Sequence, residues 1–154
     1  MVYEAFNRGL LEKMGVRFYR VVVIEDNERY LKDLREDLPA AGHEIVAEAS
    51  TPESAKALID RFDEIKPDAV LLDGTLDESR ATRSDVERGR DGEEIYALIK
   101  RLHPNIPVIP FTKSLPEWGD TPLVNPPSKI HWANKQTLDV GDWVTKIVEG
   151  TPIV

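Results

Sequence analysis

Apolar residues along this chain fall into two alternating patterns. The first is a set of short apolar runs. Residues 18–24 lead into Glu25 and Asp26, residues 68–73 end on Asp73, and residues 106–111 lead into Thr112. Each has the length of a strand and is apolar at consecutive positions, as expected of a strand covered on both faces. The second pattern is helical spacing. Tyr30, Leu31, Leu34 and Leu38 share one face behind Asn27, a good helix cap, with Pro39 and Gly42 as the stop. Ala55, Leu58, Ile59, Phe62 and Ile65 follow Thr51 and Pro52, a cap with proline at the first helical position. Ile95, Leu98, Ile99 and Leu102 follow Asp91 and Gly92, which read as a helix opening, and His103 and Pro104 close it. A last helix is expected over residues 137–148.

Two weaker strands complete the series. Residues 43–49 place Ile45 and Ala47 in alternation with polar neighbours, and residues 129–132 give a faint fifth strand. Five strand–helix units argue for an α/β fold with a doubly wound parallel sheet. The fourth unit is poor: Pro116, Gly119, Pro122, Pro126 and Pro127 leave little room for its helix. Residues 17–150 form the expected domain, residues 1–16 an N-terminal extension and residues 151–154 a tail. Phe6, Leu10 and Met14 put a helical stripe on the extension, ended by Gly15; a frayed terminus is the equal alternative. Residues 76–90 mix Asp77, Glu78, Asp85 and Glu87 with Arg80, Arg83, Arg88 and Arg90 and show no apolar period. They read as a mobile loop or a salt-bridged surface turn, placed where a lid over Asp73 would start.

Composition narrows the function. The chain has 154 residues and a net charge of −8. That length suits one domain, and that charge disfavours direct binding to nucleic acid. Cysteine is absent, which excludes thiolate chemistry and disulfides. No apolar run is long enough to span a bilayer, and the first residues lack the pattern of a signal peptide, so no membrane is expected and a cytoplasmic location is the default. His43, His103 and His131 have no metal-ligand spacing.

The chemistry gathers at one edge. In a parallel sheet, the residues that end the first, third and fourth strands emerge together, where open α/β sheets place their ligands. Glu25, Asp26 and Asp73 would repel one another there and call for a cation. Carboxylates with a hydroxyl and a nearby lysine suit Mg²⁺ and a phosphoryl group.

The order strand–Glu25-Asp26, strand–Asp73, Asp91-Gly92, strand–Thr112 and then Trp132-Ala-Asn-Lys135 resembles the receiver domain of two-component response regulators, over residues 17–148. The resemblance implies a flavodoxin-like strand order 2-1-3-4-5. It implies Asp73 as phosphoacceptor and Mg²⁺ held by Asp26 directly, Glu25 through water, Asp73, and the backbone carbonyl of Thr75. It implies Thr112 and Lys135 as contacts to the phosphoryl group, with Thr112 and Trp132 as switch residues. The implied partners are a histidine kinase or phosphotransfer protein and an unknown downstream protein. The implied activity is self-catalysed aspartyl phosphorylation and dephosphorylation rather than turnover of a separate substrate.

The chain departs from that pattern in four places. Residues 76–90 lengthen the step to Asp91, Lys113 replaces a small residue, Gln136 replaces a proline, and the fourth unit, part of the face where many receivers dimerise, is proline-rich. The proline-rich fourth unit and Lys113 favour the alternative of a receiver-like module that signals without phosphorylation; the complete set of site residues argues against it. Two other readings fail on residues. A phosphatase motif of the form Asp-x-Asp-Gly-Thr would need its nucleophile at Leu71, and a dinucleotide fold would need glycines where Glu25 to Glu28 stand.

Overall fold

The computed structural model describes residues 18–73, 76, 85–112, 133–134 and 140–149. Four parallel strands, β1 (Arg20–Ile24), β2 (Glu44–Ala49), β3 (Ala69–Leu72) and β4 (Val108–Thr112), lie in the order β2-β1-β3-β4. This is the flavodoxin-like arrangement. A two-residue segment, Ala133–Asn134, pairs in parallel with Phe111 and Thr112 on the outer side of β4. The expected strand at 129–132 lies outside the described residues; the pairing seen falls just beyond it. So do the extension at 1–16 and the tail at 151–154.

The helices are α1 (Glu28–Ala40), α2 (Pro52–Ile59), α3 (Phe62–Ile65), α4 (Asp85–Leu102) and α5 (Val140–Glu149). They cover the sheet on both faces because consecutive strand residues point to opposite sides. Val22, Ile24, Val70, Leu72 and Val108 pack with Ala55, Ile59, Phe62, Ile95 and Ile99 from α2, α3 and α4. Val21, Val23, Ala69, Leu71 and Ile109 pack with Leu31, Leu34 and Leu38 of α1 and Val144 and Ile147 of α5. The apolar runs of β1 and β3 feed both cores, which is why they lack alternation. None of the described helices is long and apolar enough to cross a membrane.

Local signals act as the residues dictate, with five corrections. Asn27 caps α1, its Oδ1 accepting from the N–H groups of Arg29 and Tyr30. Thr51 and Ser54 form a reciprocal capping box ahead of Pro52. Pro39, expected to stop α1, instead sits in its last turn, and Gly42, at φ 90°, makes the exit. The single helix expected through Ile65 breaks after Ile59; Lys66, at φ 54°, closes the short α3 by donating its N–H to the Phe62 carbonyl. Asp91 and Gly92 do not open α4, which begins at Asp85. The segment 76–90 is therefore partly helical, and Leu76 is fully buried in the α2–α4 core. Finally, Ile45 and Ala47 do not share a face. The β1–β2 register shifts between Val21 and Val22, where Ile45 and Ala47 face consecutive β1 residues and Val46 is extra.

Candidate functional site

The backbone ladder places the acidic residues. Past the end of β1, the Glu25 N–H donates to the Ala49 carbonyl at 3.0 Å. Past the end of β3, the Asp73 N–H donates to the Ile24 carbonyl at 2.8 Å. Both residues are thus held in register by hydrogen bonds that continue the sheet. Asp26 follows Glu25 and precedes α1, so it stands at the positive end of that helix.

Glu25, Asp26 and Asp73 each bring a carboxylate oxygen within 4.8 Å of the others. Glu25 and Asp73 are 1% and 2% exposed, while Asp26 is partly open to solvent. The Glu25 Oε1 accepts the Asn27 N–H at 3.1 Å, which ties this carboxylate to the start of α1. Among the described residues, no hydrogen-bond donor reaches the buried Glu25 Oε2, Asp26 Oδ1 or Asp73 Oδ2. Three carboxylates so close disfavour one another strongly in a partly dry site. An all-oxygen donor set of this charge fits a hard divalent cation such as Mg²⁺ or Ca²⁺. A carboxylate at such a site is also a competent nucleophile toward phosphorus.

Of the other expected site residues, Thr112 is the last residue of β4 and pairs in register with Asn134. Thr75, Lys113, Trp132, Lys135 and Gln136 lie outside the described residues. Two features near this edge escaped the sequence reading. Leu76, three residues after Asp73, is pinned in the core; its apolar type was the available signal. Arg35 of α1 grips Glu48 of β2 at 2.9 and 2.6 Å and Glu28 at 2.8 Å. Hydrogen bonds to Glu48 first, then Glu28, raise the guanidinium pKa further above its ordinary value. Glu48 belongs to another element, so spacing along α1 could not reveal the clamp. It neutralises two carboxylates at the acidic end of the sheet, although at an exposed site it adds little stability.

No protein-family model matches the sequence, and no curated protein does. Solved structures do resemble the fold. The isolated REC domain of RcsB from Salmonella enterica serovar Typhimurium, determined with the phosphomimetic BeF₃⁻, has a TM-score of 0.61 at 17% identity, covering 89% of this chain and 93% of that one. A CheY-like response regulator receiver domain protein from Methanospirillum hungatei JF-1 has a TM-score of 0.61 at 19% identity, covering 88% of this chain and 94% of its own. The signal receiver domain of a Luxo repressor protein from Vibrio parahaemolyticus also scores 0.61, at 16% identity, with coverage of 88% and 93%. At these identities the likeness is one of fold: the chain has the fold of response-regulator receiver domains.

Proposed function

We propose that this chain is the phosphoacceptor receiver domain of a two-component signalling system, spanning residues 17–150 and acting in the cytoplasm. It takes a phosphoryl group from a histidine kinase or phosphotransfer protein onto Asp73 and switches contacts with a downstream protein. The observation that carries this reading is the convergence of Glu25, Asp26 and Asp73, with oxygens within 4.8 Å, at the carboxyl edge of a parallel sheet. The fold likeness adds to it.

Under this reading the residues take the following roles. An Asp73 carboxylate oxygen attacks phosphorus, the bond from phosphorus to the donor breaks, and its electron pair leaves with the donor. Asp26, the more exposed of the acidic pair, would hold a metal ion directly. Glu25, buried and already bound to the Asn27 N–H, suits an indirect role through water. The backbone carbonyl of Thr75 would complete the protein ligands. Mg²⁺ held there supplies neutralisation of the carboxylates and the phosphoryl oxygens. Thr112 would donate a hydrogen bond to the phosphoryl group and Lys135 would pair with it, with Trp132 following Thr112 in the switch. A fifth strand through Ala133–Asn134, which pair beside the end of β4, would carry Lys135 to the same edge.

The test is labelling by a small-molecule phosphodonor with Mg²⁺, read by intact mass. Wild type gains one phosphoryl group and Asp73→Asn gains none. Equal labelling of both proteins defeats the reading. Tight Mg²⁺ binding with no labelling by any donor would instead leave the phosphorylation-independent module. Lys135→Ala is expected to weaken the phosphorylation-dependent change by roughly 1.5–3 kcal/mol, the size of a charge-assisted hydrogen bond. Lys113→Ala is expected to do less.

A further inference from the structure

His43 is 2% exposed and joins three elements that are distant in sequence. Its backbone N–H donates to the Leu38 carbonyl at 2.9 Å, fixing it to the end of α1. Its ring Nδ1 receives the backbone N–H of Tyr19 at 3.3 Å. A backbone N–H can only donate, so Nδ1 carries no proton and Nε2 carries the ring's one hydrogen. Nε2 faces the Gly141 carbonyl at 3.0 Å and Thr145 Oγ1 at 2.8 Å, both on α5. Thr145 spends its own hydroxyl proton on that same carbonyl at 3.0 Å, which leaves its oxygen as the acceptor. The Tyr19 ring stacks on the imidazole at 5.5 Å, and the Tyr19 hydroxyl donates to Glu149 Oε1 at 3.0 Å. Two side chains at the start of the sheet thus hold both halves of α5.

We propose that His43 is a proton-sensitive latch: the neutral imidazole seats α5 and the imidazolium releases it. The imidazolium has N–H on both ring nitrogens. Its Nδ1–H would meet the Tyr19 N–H, donor against donor, at a buried position. The ring is rigid, so turning it away from Tyr19 also withdraws Nε2 from Gly141 and Thr145. The seated state therefore binds the proton less readily than the released one, and seating is lost as pH falls through the imidazole range.

Charged groups on the surrounding elements do not reverse this sign. Among the described residues they are Tyr19 and Arg20 on the strand side, Asp37 near the end of α1, Glu44 in β2, and Asp142, Lys146 and Glu149 on α5. Glu44 lies 3.9 Å from Arg20, and Glu149 takes the Tyr19 hydroxyl. Asp37, Asp142, Lys146 and Glu149 are exposed, where water screens them, whereas the hydrogen bonds act at contact. Val140, Val144 and Ile147 still tether the helix by apolar packing, so the event is local release.

Hydrogen exchange of α5 amides tests this on the whole chain, with rates corrected for the intrinsic pH dependence. Between about pH 7.5 and about pH 5, on either side of the free imidazole value near 6.5, wild-type α5 is expected to lose about tenfold or more of its protection. His43→Asn keeps an acceptor near Nδ1, and His43→Gln keeps a donor near Nε2. Neither titrates, so their α5 protection is expected to be independent of pH. A flat wild-type profile, or a wild-type profile retained in both variants, overturns the latch. Imidazole nitrogen resonances in the wild type give a readout that needs no variant. His43 is expected to be the Nε2–H form at neutral pH and to titrate together with α5 amide shifts; titration with α5 unmoved overturns the proposal.

Discussion

Replacing Asp73 by asparagine should make the metal-free protein more stable, although it removes the proposed chemistry. Asp73 faces Glu25 and Asp26 with oxygens within 4.8 Å. At that distance one pair of unit charges costs about 3.5 kcal/mol at an effective dielectric constant near 20, and about 0.9 kcal/mol in water. The pair with buried Glu25 belongs near the first value, and the pair with the more open Asp26 nearer the second. The α1 N-terminus and the lysine proposed for this edge offset part of this. A net gain of about 1–3 kcal/mol is the expected outcome, or a melting temperature higher by about 3–10 °C. The amide also keeps the shape and offers donors to the two remaining carboxylates. The assay is thermal and urea unfolding of both proteins in a chelator, repeated with Mg²⁺. The metal should stabilise wild type by RT ln(1 + [Mg²⁺]/Kd) and the variant by less, so the gap should close as the metal is added. A few tenths molar salt should not abolish it, because partly buried pairs are screened weakly. If Asp73→Asn is no more stable than wild type in chelator, the three charges do not confront one another as the distances imply.

Other perturbations probe the frame around the site. Gly42→Ala is expected to cost more than about 1 kcal/mol in urea unfolding, since φ is 90° and an added Cβ would press on the Phe18 ring. Thr51→Ala should cost about 0.5–2 kcal/mol by loss of the capping box, and Thr51→Ser should restore most of it. Burial pushes the Tyr96 phenol up to about 12 from its ordinary 10. The unfolded chain therefore gives up this proton first. The contribution is full below pH 10 and is lost as pH rises toward about 12, and Tyr96→Phe should flatten that part of the pH profile of the urea midpoint.

How far the fold was legible follows from the kind of signal each element carries. β1, β3 and β4 are apolar runs ending in polar residues, and such runs have few other uses in a chain of this size. The Asn27 and Thr51 caps act through neighbours within three residues, so local sequence suffices. The start of α4 was hidden because its first turn is built from charged residues, whose helical state leaves no apolar period. The burial of Leu76 was hidden among the same charges. Strict alternation puts Ala47 on the wrong face, because only pairing with β1 reveals the register shift. The meeting of Glu25, Asp26 and Asp73 needed only the parallel order of β1 and β3. The Arg35 clamp and the His43 contacts join residues far apart in sequence, and no spacing rule reaches them.

The extra residue in β2 has a consequence for how the molecule tolerates change in length. Ile45 lies on the α1–α5 side of the sheet, while Val46 and Ala47 both lie on the other. Val46 thus works as a frame shift within the strand: after it, Glu48 returns to the side where Arg35 waits. Removing Val46 would leave Ile45, Ala47 and Glu48 on the faces they now occupy, in plain alternation. β1 has no such slack, because its residues are in contact with strands on both sides. Deleting one residue there would exchange the contributions of β1 to the two cores and draw Glu25 back by one strand step, about 3.3 Å, away from Asp73. The outer strand can absorb a lost residue; the inner one would pass it straight to the acidic edge.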